Sequence, residues 1–502
     1  MEKAAYLKHI DTLIAAIVGA VAVHMFTKYS GIGISPDSIM YASTATNMQA
    51  HGSLLTYNGT PLVFFPVFYP FFLAVIQFIS GVDPFAAGPF INMGLFAAVI
   101  LISGYILERY LNAPRVYKWL ILIAIVLSPA LLQIYSFLWS ETLFIFEVML
   151  FLLVYQRYNQ QQTIGRLIAI TVIAAIACIT RYAGITLISA GCLLLILDNR
   201  LIIRDKIKHL LIFGLGSVCL LIGNLVLNSI NTGLSTGKRL PSITSFSENL
   251  YYTGMVFCKW MSFGEEAGRF YITTTLIFLT VLLALLICKV IKKKISNGDS
   301  IIITFAFTYG MFMILLATFS RFERLDSRLL SPIFVPLLIG VTFWVPGAIK
   351  AIQLKAVKYI ISAVAMALIL AFNYIILKAD LKRYDDEMDY GVPGYADDDW
   401  NKSPFGLFLR SHKNLLKPGI PIYTNADEAF YLFTGQVSKL VPHRYFKEDV
   451  AKFHAVKHYY FIWFKAATNA ELINIEDIQK THRLKKLYDF EDGAIYEYQH
   501  DF

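Results

Sequence analysis

Long apolar runs recur along the chain from Leu13 to Leu377. A helix needs about 20 predominantly apolar residues to cross the hydrocarbon core of a bilayer. A chain with this many such runs therefore reads as a polytopic membrane protein. Composition agrees: 57% of residues are hydrophobic and only 16% are charged, against roughly 45–50% and roughly 25% in ordinary soluble domains. A soluble enzyme, a disordered chain and a disulfide scaffold are excluded.

The charge is segregated. Residues 380–502 hold 20 acids and 16 bases, whereas the preceding 379 residues hold 15 acids and 28 bases. Two domains are expected, a membrane domain over 1–379 and a water-soluble one over 380–502. The basic excess is that of loops beside a membrane and points to no nucleic acid. Cys178, Cys192, Cys219, Cys258 and Cys288 all precede the tail, and no CxxC or Cys/His zinc spacing occurs.

About 11 spans are expected, over 13–27, 87–107, 119–134, 138–155, 167–179, 184–197, 210–227, 270–290, 301–318, 329–345 and 360–376. Lys and Arg mark the cytoplasmic side. They gather at the N-terminus (Lys3, Lys8) and over 108–118, 156–166, 198–208, 292–294 and 350–358. These fall on alternate sides if the Pro-interrupted stretch 69–80 lies at the outer surface without crossing. The N-terminus, an uncleaved signal-anchor, is then inside. Loops 28–81, 228–269 and 321–328 and the whole tail are outside the cytoplasmic membrane.

Four places carry ionisable groups at outer span ends, where charge is costly unless it has a task. In Ser35-Pro36-Asp37-Ser38-Ile39-Met40-Tyr41, continuing to His51-Gly52, Ser35 suits an N-cap, Pro36 the first helical position and Gly52 the stop. Asp37 in that first turn either complements the helix dipole or serves as a carboxylate base at the lipid–water boundary. Glu141, in Trp139-Ser140-Glu141-Thr142, stands at the mouth of an apolar helix with Glu147 further in. Arg181, in Thr180-Arg181-Tyr182-Ala183-Gly184, either snorkels to the interface or binds an anion. The segment from Ser320 through Arg321, Arg324, Asp326 and Arg328 to Pro332 sets three arginines on the outer side, against the positive-inside trend. It is a solvated loop or a phosphate site.

Other signals are weaker. His454 and His458 at i, i+4 suit a solvated helix face, His24 a packed position in the first span, and two glycosylation sequons (Asn58-Gly59-Thr60 and Asn401-Lys402-Ser403) occur by chance frequency.

Taken in order, these residues resemble the GT-C superfamily of integral-membrane glycosyltransferases, which includes the protein O-mannosyltransferases and the aminoarabinose transferases. The resemblance rests on Asp37 with Tyr41, on Phe65-Pro66-Val67-Phe68-Tyr69-Pro70, and on Leu127-Ser128-Pro129 with Ser140-Glu141-Thr142. It rests also on Thr180-Arg181-Tyr182-Ala183-Gly184 and on Asp326-Ser327-Arg328-Leu329-Leu330-Ser331-Pro332. It implies a helical membrane domain and an inverting transfer of sugar from a polyprenyl-phosphate donor to a lipid, glycan or protein acceptor. Asp37 is then the catalytic base and Glu141 a second acid of the same cavity. Arg181, Arg321 and Arg328 bind the donor phosphate, and Tyr41, Tyr69, Tyr182 and Asp326 line the substrate site. A divalent metal is compatible with this chemistry, but Ser38 stands where many relatives carry a second acid, so no metal is assigned. The Lys often found before the Pro-rich stretch is replaced by Phe64 and Phe65.

The tail reads as a small α/β domain. An acidic linker over 380–399 precedes β-rich runs at 420–423, 459–464 and 494–498, with helical stretches at 426–433 and 470–479. The competing reading for the whole chain is a transporter or lipid-linked-sugar flippase. Internal repeats and midplane charges would mark it, and neither is present in the sequence.

Overall fold

In a computed structural model the described residues are 9–110, 115–237, 239–261, 265–321 and 323–500. Lys3, Lys8 and Phe322 lie outside them. The chain divides into two compact units, one of residues 1–28, 61–72 and 86–385, the other of 29–60, 73–85 and 386–502. The expected boundary at 379/380 falls six residues before the last cut, and the second unit also takes in two N-terminal segments.

The first unit is helical. Its elements are α1 (Ile10–Thr27), then α4 (Pro84–Tyr110), α5 (Arg115–Val126), α6 (Pro129–Tyr135), α7 (Ser140–Gln160), α8 (Ile164–Thr180) and α9 (Ile185–Leu197). There follow α10 (Ile203–Leu210), α11 (Gly216–Thr232), α12 (Phe246–Trp260), α13 (Tyr271–Ile291), α14 (Ser300–Phe319), α15 (Ser327–Leu330), α16 (Phe334–Ala351) and α17 (Lys355–Tyr390). Helices α2 (Pro36–His51) and α3 (Phe68–Ser80) belong to the intervening N-terminal stretch.

The 11 expected spans fall on helical segments, but 119–134, 210–227 and 329–345 each cross a break between two of them. Among the described residues, seven helices are long and apolar enough to cross a membrane, or eight if α5 and α6, bent by 48°, form one broken span. Pro129 explains the bend, because it ends the hydrogen-bond ladder and starts α6 under the Ser128 cap. Helix α8 and the Tyr182–Leu197 stretch are apolar but shorter, as is α3. The molecule is thus an α-helical polytopic membrane protein with a small α/β domain at its C-terminus. His24 is exposed on α1, not packed in a core, whereas Val23, Phe26 and Thr27 of the same helix are buried.

One polar cluster joins α1 to α5. Lys118 Nζ lies 2.8 Å from Asp11 Oδ1 and 2.9 Å from Glu108 Oε2, and Trp119 Nε1 donates to Asp11 Oδ2 at 2.9 Å. Lys118, in the expected inside loop, is buried because the two carboxylates satisfy its ammonium.

The second unit holds a five-stranded sheet of order β2-β1-β3-β5-β4. Its strands are β1 (Ile422–Thr424), β2 (Lys439–Leu440), β3 (His458–Phe464), β4 (Lys485–Asp489) and β5 (Gly493–Gln499). Strand β1 runs parallel to β2 and β3, while β3, β5 and β4 are antiparallel, with Ile462 opposite Ile495. One core (Phe405, Phe430, Phe433, Ile462, Phe464, Ile495) also takes in Ile39 of α2 and Tyr57, and a second gathers Val441, Phe453, Tyr459, Phe461 and Ile478.

Helix α2 forms as its sequence requires. Ser35 and Ser38 make a reciprocal capping box, Pro36 opens the helix, and Gly52 closes it at φ 64°, a conformation in which a Cβ would be strained. The expected acidic linker is helical over its first half: the helix-forming run from Lys378 to Tyr390 extends α17, and Gly391 at φ 83° stops it. The helix expected over 470–479 shortens to Ile475–Gln479, because Asn474 accepts from Asp477 N and sets the start there. His454 ends the helix Lys447–His454 whereas His458 begins β3 and meets Glu497 at 3.0 Å, so the two do not share a helix face.

Candidate functional site

In the first unit the chemistry centres on Glu141. Its side chain is 1% exposed and sits in the first turn of α7, where the positive end of the helix favours a carboxylate. Two arginines hold it. Arg181 Nη1 lies 2.7 Å from Oε2, and Arg328 Nε lies 2.6 Å from Oε1. The arginine side chains are 16% and 13% exposed, so they reach towards the surface while the acid they share does not. Arg181 Nη1 also donates to Ser140 Oγ at 2.8 Å, and the Arg328 guanidinium lies 4.2 Å from the Trp139 ring centre. That indole stacks on Phe137 at 4.1 Å. A guanidinium over an aromatic face gains cation–π attraction and loses side-chain freedom.

Local backbone explains each placement. Arg181 caps α8 in extended conformation, with its N–H on Ala177 O, and the turn Tyr182–Gly184 doubles back beneath it. Only glycine fits at 184, since a Cβ there would stand 2.4 Å from Ala177 O. Asp326 caps α15 by accepting from Leu329 N at 3.0 Å, and Tyr309 donates to Leu329 O at 2.8 Å, so Arg328 projects from a fixed turn.

The other sequence-derived residues divide. Tyr69 is fully buried and interacts electrostatically with Glu141. Tyr182 donates to Val63 O at 3.4 Å. Arg321 is tied through its backbone N–H to Leu240 O at 2.8 Å. Asp37 and Tyr41 belong to the second unit, where Tyr41 is 1% exposed and packed in the core.

Around Asp37 the second unit gathers further acids. Helix Asp427–Thr434 carries Asp427 and Glu428 in its first turn and packs on α2. The Tyr57 hydroxyl donates to Asp427 Oδ2, and the Tyr57 and Tyr431 rings lie 4.8 Å apart, tilted by 33°. Burial first, then the Asp427 charge, and to a smaller extent that of Asp37, push the Glu428 carboxyl up to about 8. Burial first, then the charges of Asp427 and Glu428, push the Tyr57 phenol up as well. Among the described residues no group of three His, Cys, Asp or Glu side chains is disposed to hold a metal ion.

Sequence reasoning assigned no role to four of these residues: Ser140, Trp139, Asp427 and Glu428. Ser140 and Trp139 were adjacent to Glu141, yet their roles depend on residues 41 and 189 positions away. The acid pair Asp427-Glu428, directly after a strand and a polar turn, was the available signal for the second cluster.

The apo structure of ArnT from Cupriavidus metallidurans superposes with a TM-score of 0.59, over 99% of this chain and 98% of that one. The same protein bound to undecaprenyl phosphate gives 0.57, over 97% of each chain. Near end-to-end agreement leaves little of either molecule unmatched. This is the GT-C fold. Sequence identity to both GT-C structures is 13%, so the likeness carries the fold. No protein-family profile matches the chain, and no curated protein sequence matches it. The GT-C resemblance of the motif order therefore agrees with an architecture that sequence similarity alone does not reveal.

Proposed function

We propose that the chain is an inverting glycosyltransferase, moving a sugar from a polyprenyl-phosphate donor to an acceptor hydroxyl at the outer face of the cytoplasmic membrane. The observation that carries the reading is the pair of guanidiniums, Arg181 and Arg328, mounted on one buried carboxylate. The ArnT structure of the same fold, bound to undecaprenyl phosphate, supports a lipid-phosphate donor.

The chemistry follows from where charge develops. As the acceptor oxygen bonds to the anomeric carbon, the bond from that carbon to the phosphate oxygen breaks and its electron pair stays on the phosphate. Arg181 and Arg328 oppose that growing charge, and because Glu141 and Trp139 hold them in place, little reorganisation is needed. Glu141, saturated by arginines, acts as their positioning residue. The acceptor hydroxyl must lose its proton during attack, and Asp37 takes it as general base, a contribution of about 10²–10⁴-fold. Arg321, Tyr69, Tyr182 and Asp326 shape the donor side and Tyr41 supports α2. The N-terminus inside and the C-terminal domain outside complete the reading, consistent with the alternation of Lys/Arg-rich loops.

The test is binding of undecaprenyl phosphate to the purified full chain in nanodiscs. Arg181→Ala and Arg328→Ala should each weaken it at least about tenfold, the scale of a charge-assisted hydrogen bond. Unchanged binding in both variants contradicts the assignment, and vectorial movement of the lipid without sugar transfer favours a flippase.

A further inference from the structure

Helix α7 carries a second buried acid. Glu147 is 5% exposed in an otherwise apolar stretch, and its Oε2 has no hydrogen-bond partner among the described residues. An acid in such surroundings is expensive to keep, so it calls for an account of what it does there. Its other oxygen meets Thr180, whose Oγ1 lies 2.8 Å from Glu147 Oε1. Thr180 is 1% exposed and is the last residue of α8, immediately before Arg181.

The geometry of the two helices makes this contact consequential. Helices α7 and α8 are joined by the short link through Gln161 and Thr163 and so run antiparallel. Six residues of helix rise by about 9 Å, the separation along α7 between Glu147 and Glu141. Arg181, in extended conformation at the end of α8, spans that interval to reach Glu141 and Ser140. The two successive residues Thr180 and Arg181 are therefore each anchored to an acid of α7. Thr180 Oγ1 also lies 3.0 Å from Ile176 O, the ordinary fallback of a threonine near a helix end. Without Glu147 the intrahelical contact would be left to fix the hydroxyl, and the end of α8 would lose one of its two lateral ties to α7, keeping only that through Arg181 itself.

We infer that Glu147, acting through Thr180, is a positioning residue that sets the end of α8 so that Arg181 presents its guanidinium to the donor phosphate. This rests on the proposed function, because it needs Arg181 to contact that phosphate. The carboxyl is required for its hydrogen-bonding pattern, not for charge. Glutamine, which offers both an acceptor and a donor, should replace it, and leucine, of similar volume, should not.

The test measures the Kd of undecaprenyl phosphate for the full chain in nanodiscs, alongside the thermal midpoint of each variant. Glu147→Leu and Thr180→Val should each raise Kd about fivefold to tenfold, the range of one hydrogen bond. Glu147→Gln should stay within about twofold of wild type. The double variant should be no worse than Glu147→Leu alone, because both changes remove one shared contact. A Kd unchanged in Glu147→Leu and Thr180→Val while Arg181→Ala raises it overturns this inference and leaves the proposed function intact. A Kd unchanged in Arg181→Ala overturns both. Additive effects in the double variant, or failure of Glu147→Gln to restore binding, also overturn the inference. Should Glu147→Leu not fold, the Thr180→Val and Glu147→Gln arms decide it.

Discussion

The Arg328 guanidinium lies 2.6 Å from the carboxylate of Glu141, joining residues 187 positions apart in sequence. With Arg181 on the other oxygen, one buried acid holds two cations, and the three side chains together keep a net positive charge. Breaking such a group is worse than never building it. Glu141→Ala should destabilise the helical unit by about 3–5 kcal/mol, because it removes the buried carboxylate that both guanidiniums share. Glu141→Gln should cost less, since it keeps two hydrogen-bonding atoms in place. Thermal unfolding in detergent checks the order; equal midpoints for wild type and Glu141→Ala would contradict the buried triad.

A smaller change should act on the same arginine from below. Gly184 lies under the end of α8 with no room for a methyl group. Gly184→Ala should cost about 1–3 kcal/mol, the usual penalty for overpacking, and should weaken undecaprenyl phosphate binding by moving Arg181. A variant with unaltered binding and stability would show that the turn has slack.

The second unit should respond to pH. Glu428 is pushed up from 4.5 to about 8 by burial and by Asp427, so the folded unit binds its proton more tightly than the unfolded chain does. Ionising the group opposes folding. This contribution to stability is fully present below about pH 4.5 and is lost as pH rises through about 8. Protection factors over the helix Asp427–Thr434, with the intrinsic pH dependence of amide exchange divided out, should fall across that window in wild type. In Glu428→Gln the fall should be much reduced; wild-type protection factors unchanged from pH 5 to pH 8 would contradict the shift.

The hydrogen bond from Tyr57 to Asp427 ties residues 370 positions apart within that unit. Tyr57→Phe should cost about 1–3 kcal/mol by leaving a buried carboxylate oxygen without its donor. Limited proteolysis of the second unit should then proceed faster, and an unchanged rate would argue against the tie.

What the sequence disclosed was local. The Ser35-Pro36 start and Gly52 stop of α2 are set by neighbouring backbone groups, and the apolar runs by length alone, so both were legible. The Glu141–Arg181–Arg328 group was visible as three separate oddities at outer span ends, but its closure depends on helix packing. Strand β2 is only two residues long, and β4 (Lys485–Asp489) is a charged edge strand whose exposed side chains mask the alternating pattern. The acidic stretch after residue 380 read as a linker because charge density resembles solvated coil. Its Lys, Leu, Asp and Glu residues instead continue α17 as far as Gly391.

The most direct measurement is sugar transfer by the full chain in native membranes, with labelled polyprenyl-phosphate sugars as donors, comparing wild type with Asp37→Asn. The account predicts normal expression and folding of the variant with transfer reduced by about 10²-fold or more, as loss of a general base requires. Wild-type rates in Asp37→Asn would contradict it.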